Sequence, residues 1–437
     1  MAAQSIRPQD SPALASHIVP ILALLFSTGF LLAGNGLHSL LLPLRGAAEG
    51  FTTADIGLIG TGWAVGFVLG CITAPVVVRR VGHIRAFACS AACAAIIVLL
   101  NGLFIHPLAW ILLRVGSGFF LAGAFMIIES WLNERASNES RGTIFAVYLM
   151  VTYLAITAGQ LGVGAGDTST GTLFMAGAIL FCLAVLPTAL STAASPRPLT
   201  RVTIDLRKLY GNSPVAFLTV LLVGVINGAF GTLAAVWGAR IGLPTPLIAL
   251  MMAITIVSGA ITQVPAGRIS DRTDRRYVIA GGAIAAGLAG LAIVLLKPTD
   301  PALILTLVGF YGALTYPLYG LAVAHANDYA DASEFVAVSG GLLLLYGAGT
   351  MFGPLAASLA MTELGPESLF IVTASCHAII AGYAFYRTYR RPPIPRSVRE
   401  AFQTIPSSRA MTPESAALDP RAEDQTILDR EPAGAVK

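Results

Sequence analysis

Six charged residues stand within nine positions, Arg268 to Arg276, in the stretch AGRISDRTDRRYV at 266–278. Arginine and aspartate at this density form forked, charge-assisted hydrogen bonds, which suits a bolt between neighbouring segments. Arg114 is a different case: it is the one charge set well inside an apolar run. Its planar fork fits a carboxylate or a phosphate, and equally a backbone carbonyl, and both roles stay open. The other polar candidates inside apolar runs are uncharged. They are Asn35, Asn227, Gln160, Tyr153, Tyr316 and Tyr346, together with His38, which can titrate near neutral pH. Such groups hydrogen-bond a solute or a neighbouring helix.

Reaction chemistry is not among the signals. Paired acids or a nucleophile–base set inside the apolar segments would mark an enzyme, and none is visible. The chain has no G-x-x-x-x-G-K-[ST] loop, and no strand precedes Gly162-Val163-Gly164. Cys71, Cys89, Cys93, Cys182 and Cys376 lie in apolar runs without CxxC or metal-ligand spacing and read as packing residues. No metal, cofactor or disulfide is expected.

The elements that must position these residues are written in the composition. The chain is 55% hydrophobic and 11% charged, against roughly 25% charged in soluble domains. A formal charge of +4, with no basic patch interleaved with aromatics, gives no reason to expect nucleic acid. A helix needs about 20 apolar residues to cross the hydrocarbon layer. Twelve spans are predicted, near 18–44, 56–78, 84–105, 108–132, 142–166, 171–191, 214–239, 245–266, 277–296, 302–325, 335–361 and 367–387. The first run is too long for the core of a cleaved signal peptide. An all-α membrane protein of twelve transmembrane helices follows, with both termini on one side.

Lysine and arginine choose the side. With the termini in the cytoplasm, the inner loops hold thirteen Lys and Arg and the outer loops only Arg45, Arg240 and Lys297. Residues 1–17 are then a cytoplasmic tail, 18–191 and 214–388 two six-helix bundles, and 192–213 a polar, Pro- and Arg-rich linker. Residues 389–437 read as a disordered cytoplasmic tail. The bundles repeat: a shift of 192 without gaps matches twelve of the 46 positions from 35 to 80, including Asn35-Gly36 on Asn227-Gly228 and Arg80 on Arg272. Both halves start on the same face, so the repeats are parallel, about an axis along the membrane normal.

The charged stretch then falls in a tight cytoplasmic turn between spans eight and nine. There the chain resembles the major facilitator superfamily, which carries G-x-x-x-D-R-x-G-R-R between its second and third helices and often again between the eighth and ninth. GRISDRTDRR matches at Gly267, Asp271, Arg272, Arg275 and Arg276, with Asp274 where the family has Gly. The first-half copy, PVVVRRVGHIR at 75–85, keeps Arg80, Gly82 and Arg85, but has Pro75 for the Gly and Arg79 for the Asp. RVGSG (114–118) and GTMFGP (349–354) resemble further motifs of the superfamily. ESWLNERASNESRG (129–142) and RRVGHIRAF (79–87) resemble its YcaD-like permeases.

The resemblance implies an MFS fold in two pseudo-symmetric bundles, and a loop that bolts the cytoplasmic ends of neighbouring helices together when the protein is open to the outside. Arg79 and Arg80 then need acids elsewhere, and Glu129 and Glu134 are nearest by topology. Asp328 is the expected partner of Arg272, and His325 joins that gate. The resemblance also puts Asn35 and Asn227 on the central cavity. The function expected is secondary transport by alternating access, in a bacterial inner membrane and by a monomer. No Asp or Glu lies deep in a span, which favours a neutral or anionic small organic solute. Efflux is the favoured direction, and proton coupling would fall to Glu129, His38 or His325. The alternative is a non-transporting receptor or scaffold on the same fold.

Overall fold

The computed structural model describes residues 21–136, 140–190, 205–330 and 334–395, with Arg399, Phe402, Thr404, Thr412 and Ser415 beyond them. The described residues form helices and connecting turns, as expected for spans whose backbone groups must all be satisfied internally. Twelve helices are long and apolar enough to cross a membrane. The first half holds α1 (Leu22–Ala48), α2 (Thr53–Val81), α3 (His83–Leu103), α4 (Pro107–Arg135), α5 (Arg141–Ala165) and α6 (Thr172–Leu190). The second holds α7 (Pro214–Arg240), α8 (Thr245–Arg272), α9 (Arg275–Leu296), α10 (Pro301–Asn327), α11 (Phe335–Leu364) and α12 (Ser368–Arg390). A short helix, Leu206–Asn212, stands in the polar linker and is capped by the Asp205 side chain.

The end of the bundle that carries the linker and the charged loop is the linker end, and the opposite end is the far end. Helices α2, α4 and α8 run past their expected ends at 78, 132 and 266, to Val81, Arg135 and Arg272. Their charged last turns extend beyond the apolar stretch. The sharp turn after α8 is therefore only Thr273-Asp274, and Asp271 and Arg272 are helical.

Packing repeats along with sequence. Gly159 of α5 lies on the backbone of Ala33 and Leu37 in α1, where a Cβ would overlap the Ala33 carbonyl. Gly353 of α11 lies in the same way on Val225 and Ala229 in α7. Gly118 meets Trp63 between α4 and α2, as Gly312 meets Thr255 between α10 and α8. Without a hydrophobic drive between helices in lipid, such close backbone approach holds the bundle together. Gly50 and Gly242, one repeat apart, both turn the chain with positive φ, 82° and 85°. Of the small-residue pairs, Gly62, Gly66 and Gly70 all seat α2 on α4. Gly162 and Gly166 do not share a partner: Gly162 only grazes Leu37, and Gly166 faces Leu173.

The halves meet at the far end. The Thr61 hydroxyl donates to the Met351 carbonyl at 2.8 Å, and Gly57 abuts Ser358 and Pro354. Gly60 abuts Thr232, the Arg240 guanidinium donates to the Thr53 hydroxyl, and Gly164 abuts Pro246 and Ala249. The α2, α5, α7, α8 and α11 positions involved all lie toward the far end.

Candidate transport site and gate

Midway along the junction, one hydrogen bond crosses between the halves. The Gln263 amide of α8 donates to the Tyr153 hydroxyl of α5 at 2.9 Å. Gln263 is fully buried, and its carbonyl oxygen has no hydrogen-bond partner among the described residues. Tyr316 and Tyr346 are near enough for their hydroxyls to interact with that of Tyr153. Asn227 of α7 donates to the Tyr346 hydroxyl at 3.2 Å, and the Tyr346 ring packs against Tyr319 at 5.3 Å. Gln160 of α5 is buried, and its side-chain oxygen likewise lacks a partner among the described residues.

Sequence dictates part of this placement. Helix α10 is two pieces, Pro301–Thr315 and Pro317–Asn327, joined at Tyr316. Pro317 has no N–H to give the Ala313 carbonyl one turn back, so the ladder is interrupted beside Tyr316. Broken helices at mid-membrane are tolerated where they line a cavity or lie against protein, and they mark binding sites in transporters. Five of the expected residues, Tyr153, Tyr316, Tyr346, Asn227 and Gln160, are thus in or near α5, α7, α10 and α11 at the junction. Gln263 was missed. Its signal was present, as a lone amide in an apolar span, but its repeat counterpart is Cys71, so the repeat did not flag it.

The other three candidates fall elsewhere. Arg114, His38 and Asn101 form a buried chain inside the first half, from α4, α1 and α3. Arg114 Nη1 lies 3.4 Å from His38 Nδ1, and His38 Nε2 lies 3.1 Å from Asn101 Oδ1. Arginine only donates, so Nδ1 accepts and Nε2 carries the proton to Asn101. Arg114, expected to face a cavity or a carbonyl, has the His38 imidazole against it. Asn35 is buried, with the Ser39 hydroxyl 3.5 Å from its oxygen.

At the linker end the charged loop forms a network. Arg275, 1% exposed, donates to both oxygens of Asp328 at 2.8 and 3.3 Å, to Ser270 at 2.8 Å and to Asp271 at 3.0 Å. Arg276 grips Asp274 and donates to the carbonyls of Arg387 and Arg391 at 2.8 Å each. Those carbonyls end α12, where the helix presents its negative pole. The loop thereby joins α8, α9, α10 and α12. The partner of Asp328 is Arg275, one turn later than the expected Arg272, which is exposed. Because α8 continues to Arg272, that side chain rotates outward and Arg275 takes the inward position at the start of α9. His325 is buried and packs edge-on against Tyr329 at 5.2 Å, close to Asp274.

Among the described residues, the first-half arginines of the loop form no such ion pairs. Arg79 and Arg80 are exposed and pair with no acid among the described residues. Glu134 is exposed. Glu129 is fully buried, but it accepts the Tyr148 hydroxyl at 2.9 Å rather than either arginine. It also accepts the backbone N–H of Thr412 at 3.1–3.2 Å and the Thr412 hydroxyl.

Thr412 belongs to the stretch expected to be a disordered tail. At its described residues that stretch is packed against the bundle. The Phe402 N–H donates to Asp271 at 3.1–3.2 Å, its ring covers Gly267, and the Arg399 guanidinium donates to the Thr273 carbonyl. Thr412 and Ser415 are buried.

Twelve spans, two repeated bundles, a broken α10 at the junction and a charged loop between α8 and α9 define a two-bundle secondary transporter. The sequence model of the Major Facilitator Superfamily matches residues 24–327 and 216–422, and the chain belongs to that family. It is similar to the uncharacterized MFS-type transporter YcaD of Shigella flexneri and of Escherichia coli (strain K12 / DH10B). Each is 25% identical over 371 residues, 83% of this chain and 94% of the relative. Among solved structures, the nucleoside transporter NupG superposes with a TM-score of 0.70 at 14% identity, over 87% of this chain and 100% of that one. The D-xylose-proton symporter gives 0.64 at 15%, over 87% and 99%. A bacterial homolog of the human lysosomal transporter Spinster, inward-facing and unoccupied, gives 0.61 at 15%, over 96% and 98%. At these identities the structures share the fold. Twelve apolar helices and bacterial relatives make this a multi-pass inner-membrane transporter rather than an enzyme.

Proposed function

We propose that the protein moves a small, neutral, hydroxyl-rich solute between the two bundles, bound by Tyr153, Gln263, Tyr316, Tyr346 and Asn227. The carrying observation is the Tyr153–Gln263 hydrogen bond, which joins the halves through neutral groups and leaves the buried Gln263 oxygen free to accept. Tyrosine rings offer stacking faces, and hydroxyls and amides offer both donors and acceptors. A solute with hydroxyl or ring N–H groups matches them. An anionic solute would need a cation there, and Arg114 lies against His38 in the first half. The nucleoside and xylose transporters among the structural neighbours carry solutes of the neutral class.

Rocking of the 18–191 half against the 214–388 half would open the site alternately to each end. The excess of Lys and Arg in the loops of the linker end supports a cytoplasmic linker end and cytoplasmic termini. Asp271, Arg275, Arg276 and Asp328 then form the cytoplasmic bolt of the second half, which moves as a unit.

The test is counterflow of labelled nucleosides, pentoses and hydroxy acids in proteoliposomes. Counterflow of a neutral solute is expected, reduced about tenfold or more by Gln263→Leu and by Tyr153→Phe, since a site built to hydrogen-bond a solute loses 1.4 kcal/mol per tenfold. Counterflow of anions only, abolished by Arg114→Ala and untouched by Gln263→Leu, would overturn the neutral reading. The same vesicles under an imposed pH gradient decide proton coupling.

A further inference from the structure

The first-half copy of the charged loop gathers three arginines around one glycine. Arg79 and Arg80 end α2, Arg85 stands in the first turn of α3, and Gly82 alone separates the two helices. Each arginine is within one helical turn of Gly82. All three are exposed, with no hydrogen-bond or ion-pair partner among the described residues. The equivalent positions of the second half are satisfied from within. The shift of 192 sets Arg79 on Asp271 and Gly82 on Asp274. Asp271 accepts from Arg275, and Asp274 caps α9. In the first half neither acid is present. Helix α3 begins without a side-chain cap, so its first N–H groups present the positive end of the helix. His83, in the place of Arg275, is buried against Trp131 at 6.2 Å, and its Nε2 has no hydrogen-bond partner among the described residues. No ion pair there replaces the one between Arg275 and Asp328.

The surroundings select the anion. Both helices are membrane spans, and the loop stands where they leave the apolar layer. Val77 and Val81, one turn apart on α2, and Ile84 on α3 are exposed beside the arginines. A Cβ at Gly82 would meet nothing within 4 Å, so the space over the turn is open. Arginine forks fit phosphate oxygens, and basic groups at the end of a span attract anionic lipid. Exposed valine and isoleucine just below them fit acyl chains. We propose that the loop binds one anionic phospholipid, its phosphate among Arg79, Arg80 and Arg85 at the start of α3 and its acyl chains along Val77, Val81 and Ile84. The lipid then gives the first half the negative charge that Asp271 and Asp274 give the second. The site takes a component of the membrane and stands whatever the solute proves to be.

The test is native mass spectrometry of the full-length protein, stripped of lipid in detergent and titrated with dioleoylphosphatidylglycerol or dioleoylphosphatidylcholine. One phosphatidylglycerol is expected to bind, and phosphatidylcholine at least about tenfold more weakly, because its choline cancels the charge. Replacing Arg79, Arg80 and Arg85 together by alanine should weaken phosphatidylglycerol binding about a hundredfold, roughly fivefold for each arginine. Arg268→Ala combined with Arg272→Ala removes two cations exposed at the same end and should leave that binding unchanged. Equal weakening per arginine in the two variants would mean a diffuse charge effect and would overturn the site. Equal binding of the two lipids would overturn it too, as would displacement of the bound lipid by an equimolar amount of inorganic phosphate. Arg79→Asp, which restores the acid of the second-half motif, changes one exposed residue and guards against loss of the fold. Its melting temperature without lipid should match that of the unsubstituted chain, while its phosphatidylglycerol binding falls below that of Arg79→Ala. Binding equal to that of Arg79→Ala would overturn the contact between the phosphate and Arg79.

Discussion

The two copies of the charged loop occupy equivalent places and do opposite things. In the second half, Arg275 is buried and shared among Asp328, Asp271 and Ser270. In the first, Arg79 and Arg80 are exposed. Glu134, which stands to Asp328 as Gly118 stands to Gly312 in the repeat, is exposed too. Two substitutions account for much of the difference, and the first is that the counterpart of Arg275 is His83. Where the second half has Asp271, the first has Arg79, so the acid that accepts the neighbouring arginine is replaced by another cation. Like charges there repel and turn outward. Glu129, at the inner end of α4, accepts from Tyr148 and Thr412 rather than from the loop arginines. The comparison teaches that sequence repeats can keep their place in the fold while only one copy keeps its buried ion pair.

The largest effect should fall on the second copy alone. Arg275→Ala strands Asp328, whose side chain is 3% exposed, without its forked partner. Removing one member of a buried pair costs about 3–5 kcal/mol. Arg79→Ala and Arg80→Ala remove exposed cations and should stay within about 0.5 kcal/mol. Thermal unfolding of the three proteins in detergent checks this, and a loss of equal size at Arg79 would erase the asymmetry.

Helix packing sharpens the same comparison from the other side, because there the halves agree. Gly159→Ala and Gly353→Ala each push a methyl into a carbonyl of the partner helix, Ala33 in one half and Val225 in the other. Overpacking of this kind costs about 1–3 kcal/mol, so the two melting temperatures should fall together. A large drop in only one would show that the halves share sequence positions without sharing tightness.

Much of this was legible before any coordinates. Twelve apolar runs, the linker and the parallel repeat needed only hydropathy, charge and a shift of 192, because lipid permits so few backbone solutions. Tyr153, Tyr316 and Tyr346 stood out as candidates because a polar group in a span needs a reason. What failed depended on rotation about a helix axis. Whether α8 ended at 266 or at Arg272 decides which arginine faces Asp328, and boundaries are uncertain by more than the 100° that one residue turns. Arg114 was read by its charge, but its neighbour His38 comes from another helix and has no fixed spacing from it. The contacts of Phe402 and Thr412 were invisible for a different reason. Polar, Pro-rich composition argues only that a segment cannot build its own core, and says nothing of a seat provided by Gly267 and Glu129.

The smallest expected effect lies in the turn itself. Asp274 caps α9, accepting the Arg276 N–H at 3.0 Å and the Arg276 guanidinium at 2.6 Å. Its repeat counterpart, Gly82, enters α3 with φ of 83° and no side chain to cap with. Burial works against a charge on Asp274, but the hydrogen bonds and charge of Arg276 outweigh it, and the carboxyl is held below its ordinary value. A depressed carboxylate stabilises the fold fully above its unfolded pKa, near 3.9, and that share is lost as pH falls through the lower folded value. Asp274→Asn keeps the capping oxygen and removes the charge. Its melting temperature should therefore lie slightly below that of the unsubstituted chain at pH 7, and the gap should shrink as pH falls below about 4. A gap that does not shrink at all as pH falls below about 4 would mean that Asp274 acts through its shape as a cap and not through its charge. The second-half turn would then differ from the Gly82 turn in geometry alone.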